Sequence, residues 1–331
     1  MESVLSRLVA SGKPLVSIIM PVYNGERFLV AALNSVFSQT FTDYEIIVIN
    51  DGSSDGSAEM LSSYHDQIIY IEQNNKGIAG AYNTGIEKSS GEYISFIEQD
   101  DVWLPRKLEN EVKALQQNSI IGMAYSLYYV GDEYGRYDDK NVSQLVMSGD
   151  CFSQLLSENL EGNKIVPFSS VMVRADVIRE IGPLNSRLNV SIDYDAWLKV
   201  AFKCHICCIE EPSLIYRQHS ANTSKNSLGA LLDDAVIIEL WVHDEKAKAR
   251  VDKLIVKKRL GDIYSDIAWA YSRCEDRVKE SSYRLRVLGI RPTDPGAWLN
   301  YAKSFVGYKA RRKYSWYWTR LHRFFKQSLC L

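Results

Sequence analysis

Three carboxylates crowd into four positions at Glu98, Asp100 and Asp101, directly after the apolar run Tyr93–Ile97. Acidic side chains at the end of a buried strand repel one another, which is costly unless a positive charge sits among them. Such an oxygen-rich cluster suits a hard divalent cation, Mg²⁺ or Mn²⁺, that keeps waters and takes substrate phosphates as further ligands. The same residues also suit a solvated acidic loop capping a helix opened by Trp103, Leu104 and Pro105, because short acidic runs are common. Other residues bear on the choice. Asp51 ends an apolar run beside Gly52 and Ser53, where a carboxylate can accept hydrogen bonds from a base or ribose. Lys76 stands in a loop and could meet a phosphate. Far along the chain Asp193, with Asp195 two positions later, opens a helix; taken singly it reads as a first-turn acid favoured by the helix dipole.

The elements that must position these residues follow from periodicity. Val16–Val22 is an unbroken apolar run and reads as a strand buried on both faces, followed by a turn at Tyr23–Glu26. Apolar spacing predicts a helix over Phe28–Phe37 and a second buried strand over Glu45–Ile49. Asp51–Gly56 is a loop, Ser57–Tyr64 a helix, Ile68–Glu72 a short strand and Ile78–Lys88 a helix leading into the acidic strand. The strand–helix alternation implies a mostly parallel sheet with helices on both faces, in which ligands lie outside the carboxyl ends of the strands. The loops Tyr23–Glu26, Asp51–Asp55, Asn75–Gly77 and Glu98–Asp101 all fall at those ends, which favours a binding edge over a solvated loop. No GxGxxG follows the first strand, so a dinucleotide site is disfavoured.

The later chain has a different texture. Met123–Val130 and Tyr134–Tyr137 flank Gly131–Glu133 as an expected hairpin, 141–164 reads as a helix and loop, and Phe168–Val173 as a strand. Helices are expected over Ala175–Ile181 and from Ser191 to about Phe202, then strands over His205–Ile209 and Leu214–Tyr216. From about Leu228 the pattern is helical and polar. The expected division is therefore 1–225 and a helical region 226–331.

The 331 residues are 46% hydrophobic and 24% charged with a formal net charge of −2, which argues against a nucleic-acid binder. The charge is uneven: no acidic residue follows Asp294, and 303–326 interleaves Lys and Arg with Phe, Tyr and Trp. That segment suits either a helical pair with a solvated basic face or a surface of anionic lipid. No apolar run is long enough to span a bilayer. The six cysteines lack paired spacing and no leader pattern precedes them, so a reduced, cytoplasmic protein is expected, peripheral on the inner face of the cell membrane if the tail binds lipid. Cys204 and Cys207 with His205 have no second ligand pair and read as part of a buried strand, not a zinc site.

Six ordered pieces together resemble the family 2 glycosyltransferases, the inverting group with the GT-A fold. They are Ser17–Asn24, Glu45–Gly56, Asn75–Gly77 with Asn83–Gly85, Phe96–Asp101, Asp193–Leu198 and Tyr216–His219. The resemblance covers roughly the first 225 residues and implies a GT-A domain with a C-terminal helical extension. It implies a metal-dependent transfer from a nucleotide diphosphate sugar, often a UDP-sugar, to a glycan or lipid-linked acceptor, as in bacterial cell-surface polysaccharide synthesis. It further implies donor binding by Pro21, Tyr23, Asn24, Glu26, Asp51, Lys76, Asn83 and Glu98, metal binding by Asp100 and His219, and Asp193 as the general base. Three departures stand out: Glu98 where the first acid of the triplet is usually Asp, Ile192 where Glu often precedes the base, and Tyr82 where Arg is common. A nucleotidyltransferase would carry a Gly-rich basic loop where Tyr23–Arg27 stands, a glycosidase needs two carboxylates and no nucleotide site, and a catalytically silent sugar-nucleotide-binding protein is the other alternative. The helical region could also serve a homo-oligomer.

Overall fold

The computed structural model describes residues 12–157 and 166–305. Most of the basic aromatic segment 303–326, and part of the expected loop 141–164, lie outside the described residues. The chain forms two compact units, one of residues 1–155 with 160–225, the other of 156–159 with 226–331.

The first unit is built on a seven-stranded sheet in the order β10-β6-β9-β4-β1-β2-β3. Here β1 is Val16–Val22, β2 Tyr44–Asn50, β3 Ile69–Glu72 and β4 Tyr93–Phe96, all parallel. β6 (Ile121–Ser126), β9 (Val171–Arg174) and β10 (His205–Ile209) complete it, with β9 antiparallel to both β4 and β6. Between the parallel strands run α1 (Leu29–Phe37), α2 (Ser57–Ser62) and α3 (Gly77–Lys88). Every residue of β1 is buried, as its largely apolar run requires, and its polar member Ser17 donates to Glu45 Oε1 at 2.6 Å. Alternate residues serve opposite faces. Ile18, Met20 and Val22 pack with Leu29, Leu33 and Val36 of α1 and with Leu108, Val112 and Leu115 of α4 (Lys107–Gln117). Ile19 and Ile49 face α3, where a Cβ on Gly85 would lie 2.3 Å from Ile19 Cγ2. Pro21 lacks an N–H but costs no ladder bond. It faces the same side as Ile19, whose carbonyl takes the last bond, from Ile97 N–H at 3.0 Å, beyond the end of β4.

A second sheet has the order β5-β11-β7-β8, with β5 Val102–Trp103, β7 Tyr129–Gly131, β8 Tyr137–Val142 and β11 Leu214–Arg217. Several expectations are corrected here. The run expected as one strand over Met123–Val130 divides between β6 and β7, which belong to different sheets, because Leu127 N–H bonds Ile209 O and Tyr128 N–H bonds Ser143 Oγ at the crossing. Trp103 does not open a helix. It is a strand residue opposite Leu214, and α4 begins at Lys107. Within 141–157 the expected helix is short, α5 at Phe152–Ser157, and Phe168–Ser170 forms a 3₁₀ turn before β9. Cys207 and Cys208 lie in β10, which runs along the sheet edge and is only partly buried, while Cys204 closes the preceding helix; the five described cysteines are free.

Two more helices, α6 (Ala175–Glu180) and α7 (Ile192–Lys203), belong to this unit. The other unit is helical, with α8 (Ser227–His243), α9 (Glu245–Lys248), α10 (Lys253–Arg273), α11 (Arg277–Ile290) and α12 (Pro295–Ser304). Asn226, Asp244, Asp252, Asp276 and Asp294 each cap one of them through a side-chain oxygen, which is why the five boundaries fall where they do. No helix among the described residues is long and apolar enough to cross a membrane.

Candidate active site

Four loops meet at the carboxyl edge of β1, β2, β3 and β4, and hydrogen bonds tie them into one surface. After β1 the chain turns at Asn24, whose φ of 51° is a left-handed conformation that Asn tolerates. Asn24 N–H donates to Ser53 Oγ at 3.0 Å, and its Oδ1 accepts from Ser54 N–H at 2.8 Å. Glu26 N–H donates to Asp55, while the Glu26 carboxylate accepts from Gly56 N–H at 3.0 Å. Asn24 and Glu26 therefore join the first loop to the second, and Tyr23 remains half-exposed above them. Asp51 is buried, and its Oδ1 accepts from Gln73 Nε2 at 2.7 Å and from Lys76 N–H at 2.9 Å, which ties the second loop to the third. The Lys76 side chain is exposed. Gln99 links the first loop to the fourth, accepting from Tyr23 N–H at 2.9 Å and donating to Tyr23 O at 3.1 Å. Asn83 lies apart from this set. Both ends of its amide pair with the backbone of Leu184, at 3.0 and 2.7 Å.

The acidic loop is the floor of the edge. One carboxylate oxygen each from Glu98, Asp100 and Asp101 lies within 4.8 Å of the others. Asp101 is fully buried, contrary to its reading as a solvated helix cap, and its Oδ2 meets no hydrogen-bond partner among the described residues. Burial, then the neighbouring Asp100 charge, pushes the Asp101 carboxyl up to about 8. Glu98 is partly open by area but lies deep among protein atoms. Burial first, then the charges of Asp100, Asp101 and Asp193, hold its carboxyl well above the usual carboxylate range.

β11 decides the rest of the site. Pairing antiparallel with β5 brings Arg217 beneath the acidic loop. Arg217 N–H donates to Asp101 Oδ1 at 3.2 Å, and its guanidinium donates to Asp100 O and to Phe28 O while lying 4.9 Å from the Phe28 ring centroid. Two residues on, His219 Nε2 sits 2.8 Å from Asp100 Oδ2, with the imidazole stacked on Phe28 at 4.5 Å. Adjacent ligands of an octahedral cation with ~2.1 Å bonds are ~3 Å apart, so this pair could share one ion. The oxygen-rich donor set, with a buried carboxylate oxygen lacking a partner, fits a hard divalent cation.

Asp193 is in the first turn of α7, and Tyr194 N–H donates to its Oδ1 at 2.7 Å. Its charge raises Glu98, Tyr82 and Tyr128, so the chain returns this acid to the neighbourhood of the loop. Asp195, by contrast, is buried and paired with Lys199 at 2.6 Å. Sequence reasoning gave no role to Arg217, Gln99, Phe28 or Ser169, whose Oγ accepts from Glu98 N–H at 2.9 Å. Arg217 and Gln99 carried a signal, as members of the singled-out pieces Tyr216–His219 and Phe96–Asp101.

A mostly parallel sheet with helices on both faces, an added antiparallel strand and an acidic loop at the carboxyl edge defines the GT-A architecture. The sequence profile described as Glycosyl transferase family 2 matches residues 17–182, half of the chain, and this protein belongs to that family. An uncharacterised glycosyltransferase of Rickettsia prowazekii is 30% identical over 261 residues, 77% of this chain and 79% of that protein. The Escherichia coli protein named UDP-Glc:alpha-D-GlcNAc-diphosphoundecaprenol beta-1,3-glucosyltransferase WfgD is 37% identical over 134 residues, 40% of this chain and 49% of that protein. Among solved structures, the mannosyltransferase PcManGT of Pyrobaculum calidifontis, in complex with GDP-Man and Mn²⁺, superposes with a TM-score of 0.58 at 16% identity, over 95% of this chain and 86% of that one.

Proposed function

We propose that this glycosyltransferase moves a sugar from a nucleotide diphosphate sugar, a UDP-sugar, to a hydroxyl of a glycan or lipid-linked acceptor, with inversion at the anomeric carbon, in cell-surface polysaccharide synthesis. The observation that carries the reading is the acidic loop at the carboxyl edge of a family 2 chain, joined through its neighbouring loops to the buried Asp51 and felt by the charge of the distant Asp193. The WfgD name, with its UDP-Glc donor and diphosphoundecaprenol acceptor, supports the donor and acceptor classes. The catalytic domain is 1–225, with 226–331 as its helical extension and 303–326 as a peripheral contact with the membrane that carries a lipid-linked acceptor.

Each residue has a part. Asp51 presents its second carboxylate oxygen to the base or ribose, since Oδ1 is engaged by Gln73 and Lys76. Pro21, Tyr23, Asn24 and Glu26 shape the nucleotide pocket. The exposed Lys76 ammonium meets the diphosphate. Asp100 and His219, with Glu98 beside them, would hold a divalent cation, Mn²⁺ or Mg²⁺, a reading that the Mn²⁺ in the PcManGT complex supports; when bound, it would neutralise charge on the departing diphosphate. Asp193 accepts the acceptor's proton as its oxygen attacks the anomeric carbon. The carbon–oxygen bond to the diphosphate breaks as the new one forms, so no covalent enzyme intermediate is involved.

A panel of labelled sugar nucleotides with Mn²⁺ and lipid-linked or soluble glycan acceptors tests the reaction. One donor should give product with the opposite anomeric configuration. Asp193→Asn should lower kcat by about 10²–10⁴ while UDP binding persists. Transfer within a few-fold of the parent would remove Asp193 from the role.

A further inference from the structure

Tyr82 is completely buried on α3, its ring stacked on Phe168 at 4.4 Å and set edge-on to Phe96 at 5.4 Å. Phenylalanine would fill that space equally well. The hydroxyl, sealed from solvent, meets no hydrogen-bond partner among the described residues. A buried donor without an acceptor is costly and rare, so its position asks for a reason.

Both rings it packs against border the acidic loop: Phe96 stands two residues before Glu98, and Phe168 adjoins Ser169, whose Oγ accepts from Glu98 N–H. Burial raises the phenol most, and next come the charges of Glu98, Asp101, Asp100 and Asp193, in that order. Glu98 is held through its main chain, its N–H on Ser169 Oγ at 2.9 Å and its carbonyl accepting from Asp101 N–H. Its carboxylate takes part in no hydrogen bond among the described residues. A buried donor without an acceptor thus neighbours a carboxylate without a donor. Tyr82 has no exposed surface with which to touch a ligand, whereas Glu98 is partly open to the edge. A neutral phenol also leaves the charge of the acidic group available to a cation, which an added positive side chain would not.

We propose that Tyr82 is a positioning residue: when a nucleotide diphosphate and a divalent cation engage the acidic loop, its O–H donates to the Glu98 carboxylate and fixes the direction of that longer side chain. The inference rests on the donor site described under Proposed function. A hydrogen bond to an ionised carboxylate is worth roughly tenfold or more in affinity. Tyr82→Phe removes the hydroxyl and keeps the ring, so the free protein should unfold at the same or a higher urea concentration. Calorimetric titration with UDP in the presence of Mn²⁺ should show about tenfold weaker binding, and the donor KM should rise while kcat changes less.

In a Glu98→Ala background, Tyr82→Phe should have little further effect, because the phenol acts through that carboxylate. UDP affinity within twofold of the parent, or full additivity with Glu98→Ala, overturns the inference. If the parent binds none of UDP, GDP or dTDP with Mn²⁺ or Mg²⁺, the donor site itself falls and this inference with it. A parent that binds one of them and a Tyr82→Phe variant that binds it equally well overturn the inference alone.

Discussion

Replacing Lys107 with methionine should destabilise the protein in a pH-dependent way. Lys107 and Glu111 stand one turn apart on α4, and both side chains are 0% exposed. Nζ lies 2.6 Å from both Glu111 oxygens, 3.5 Å from Ser95 Oγ on β4 and 4.4 Å from the Trp103 ring centroid, so the pair locks α4 behind the acidic loop. Burial pushes the Glu111 carboxyl up from 4.5 to about 7, against the downward pull of Lys107. The folded state thus holds this proton more tightly than the unfolded chain. Its contribution to stability is complete below pH 4.5 and is lost as pH rises through about 7, a difference of about 3 kcal/mol.

Lys107→Met removes the ammonium, so Glu111 titrates still higher. Near pH 5 the variant buries a neutral acid beside an apolar chain and should lie within about 1 kcal/mol of the parent. Above pH 7 the parent loses no more through Glu111, and the burial-lowered Lys107 ammonium makes it gain as pH rises toward 10.5, while the variant keeps losing about 1.4 kcal/mol per pH unit. By pH 9 the deficit approaches the roughly 3–5 kcal/mol of an unpaired buried charge. Urea unfolding of both proteins at pH 5, 7 and 9 measures the gap. A gap of the same size at pH 5 and pH 9 would refute the reasoning.

Gly85→Ala should lower stability by about 1–2 kcal/mol: the new methyl would overlap Ile19 Cγ2 and crowd Ile49 Cδ1, outweighing a helix-propensity gain of about 1 kcal/mol. A higher urea midpoint would show that α3 is not packed as closely as described. Gln99→Ala cuts both bonds between the Tyr23 backbone and the acidic loop, so the donor KM should rise several-fold with a stability loss of about 1–2 kcal/mol. An unchanged KM would mean that the first and fourth loops hold their places without that link.

Much of the fold is legible from local pattern, and the reason is burial. A parallel strand covered on both faces is mostly apolar, so β1, β2 and β4 stand out as apolar runs with only Ser17, Glu45, Asn50 and Ser95 as buried polar members, and the turn residues after them locate the binding edge. The site's parts on that edge are legible for the same reason, since Asp51 and Glu98–Asp101 directly follow those runs. What local pattern could not supply is which distant segments meet. Asp101 reads as a helix cap until β11 pairs with β5 and buries it against Arg217. Asn83 carries a motif, yet its amide is committed to Leu184. Asp193 reads as a first-turn acid because nothing near it in the chain reports the carboxylates it approaches.

The acidic stretch that opened the question divides along this line. That three carboxylates stand at the carboxyl end of a buried strand is legible locally, because strand burial and turn chemistry are local properties. Which of them is sealed and which pairs with His219 is set by folding. Those outcomes depend on strand pairing between segments far apart in the chain and on the low-dielectric surroundings that the pairing creates.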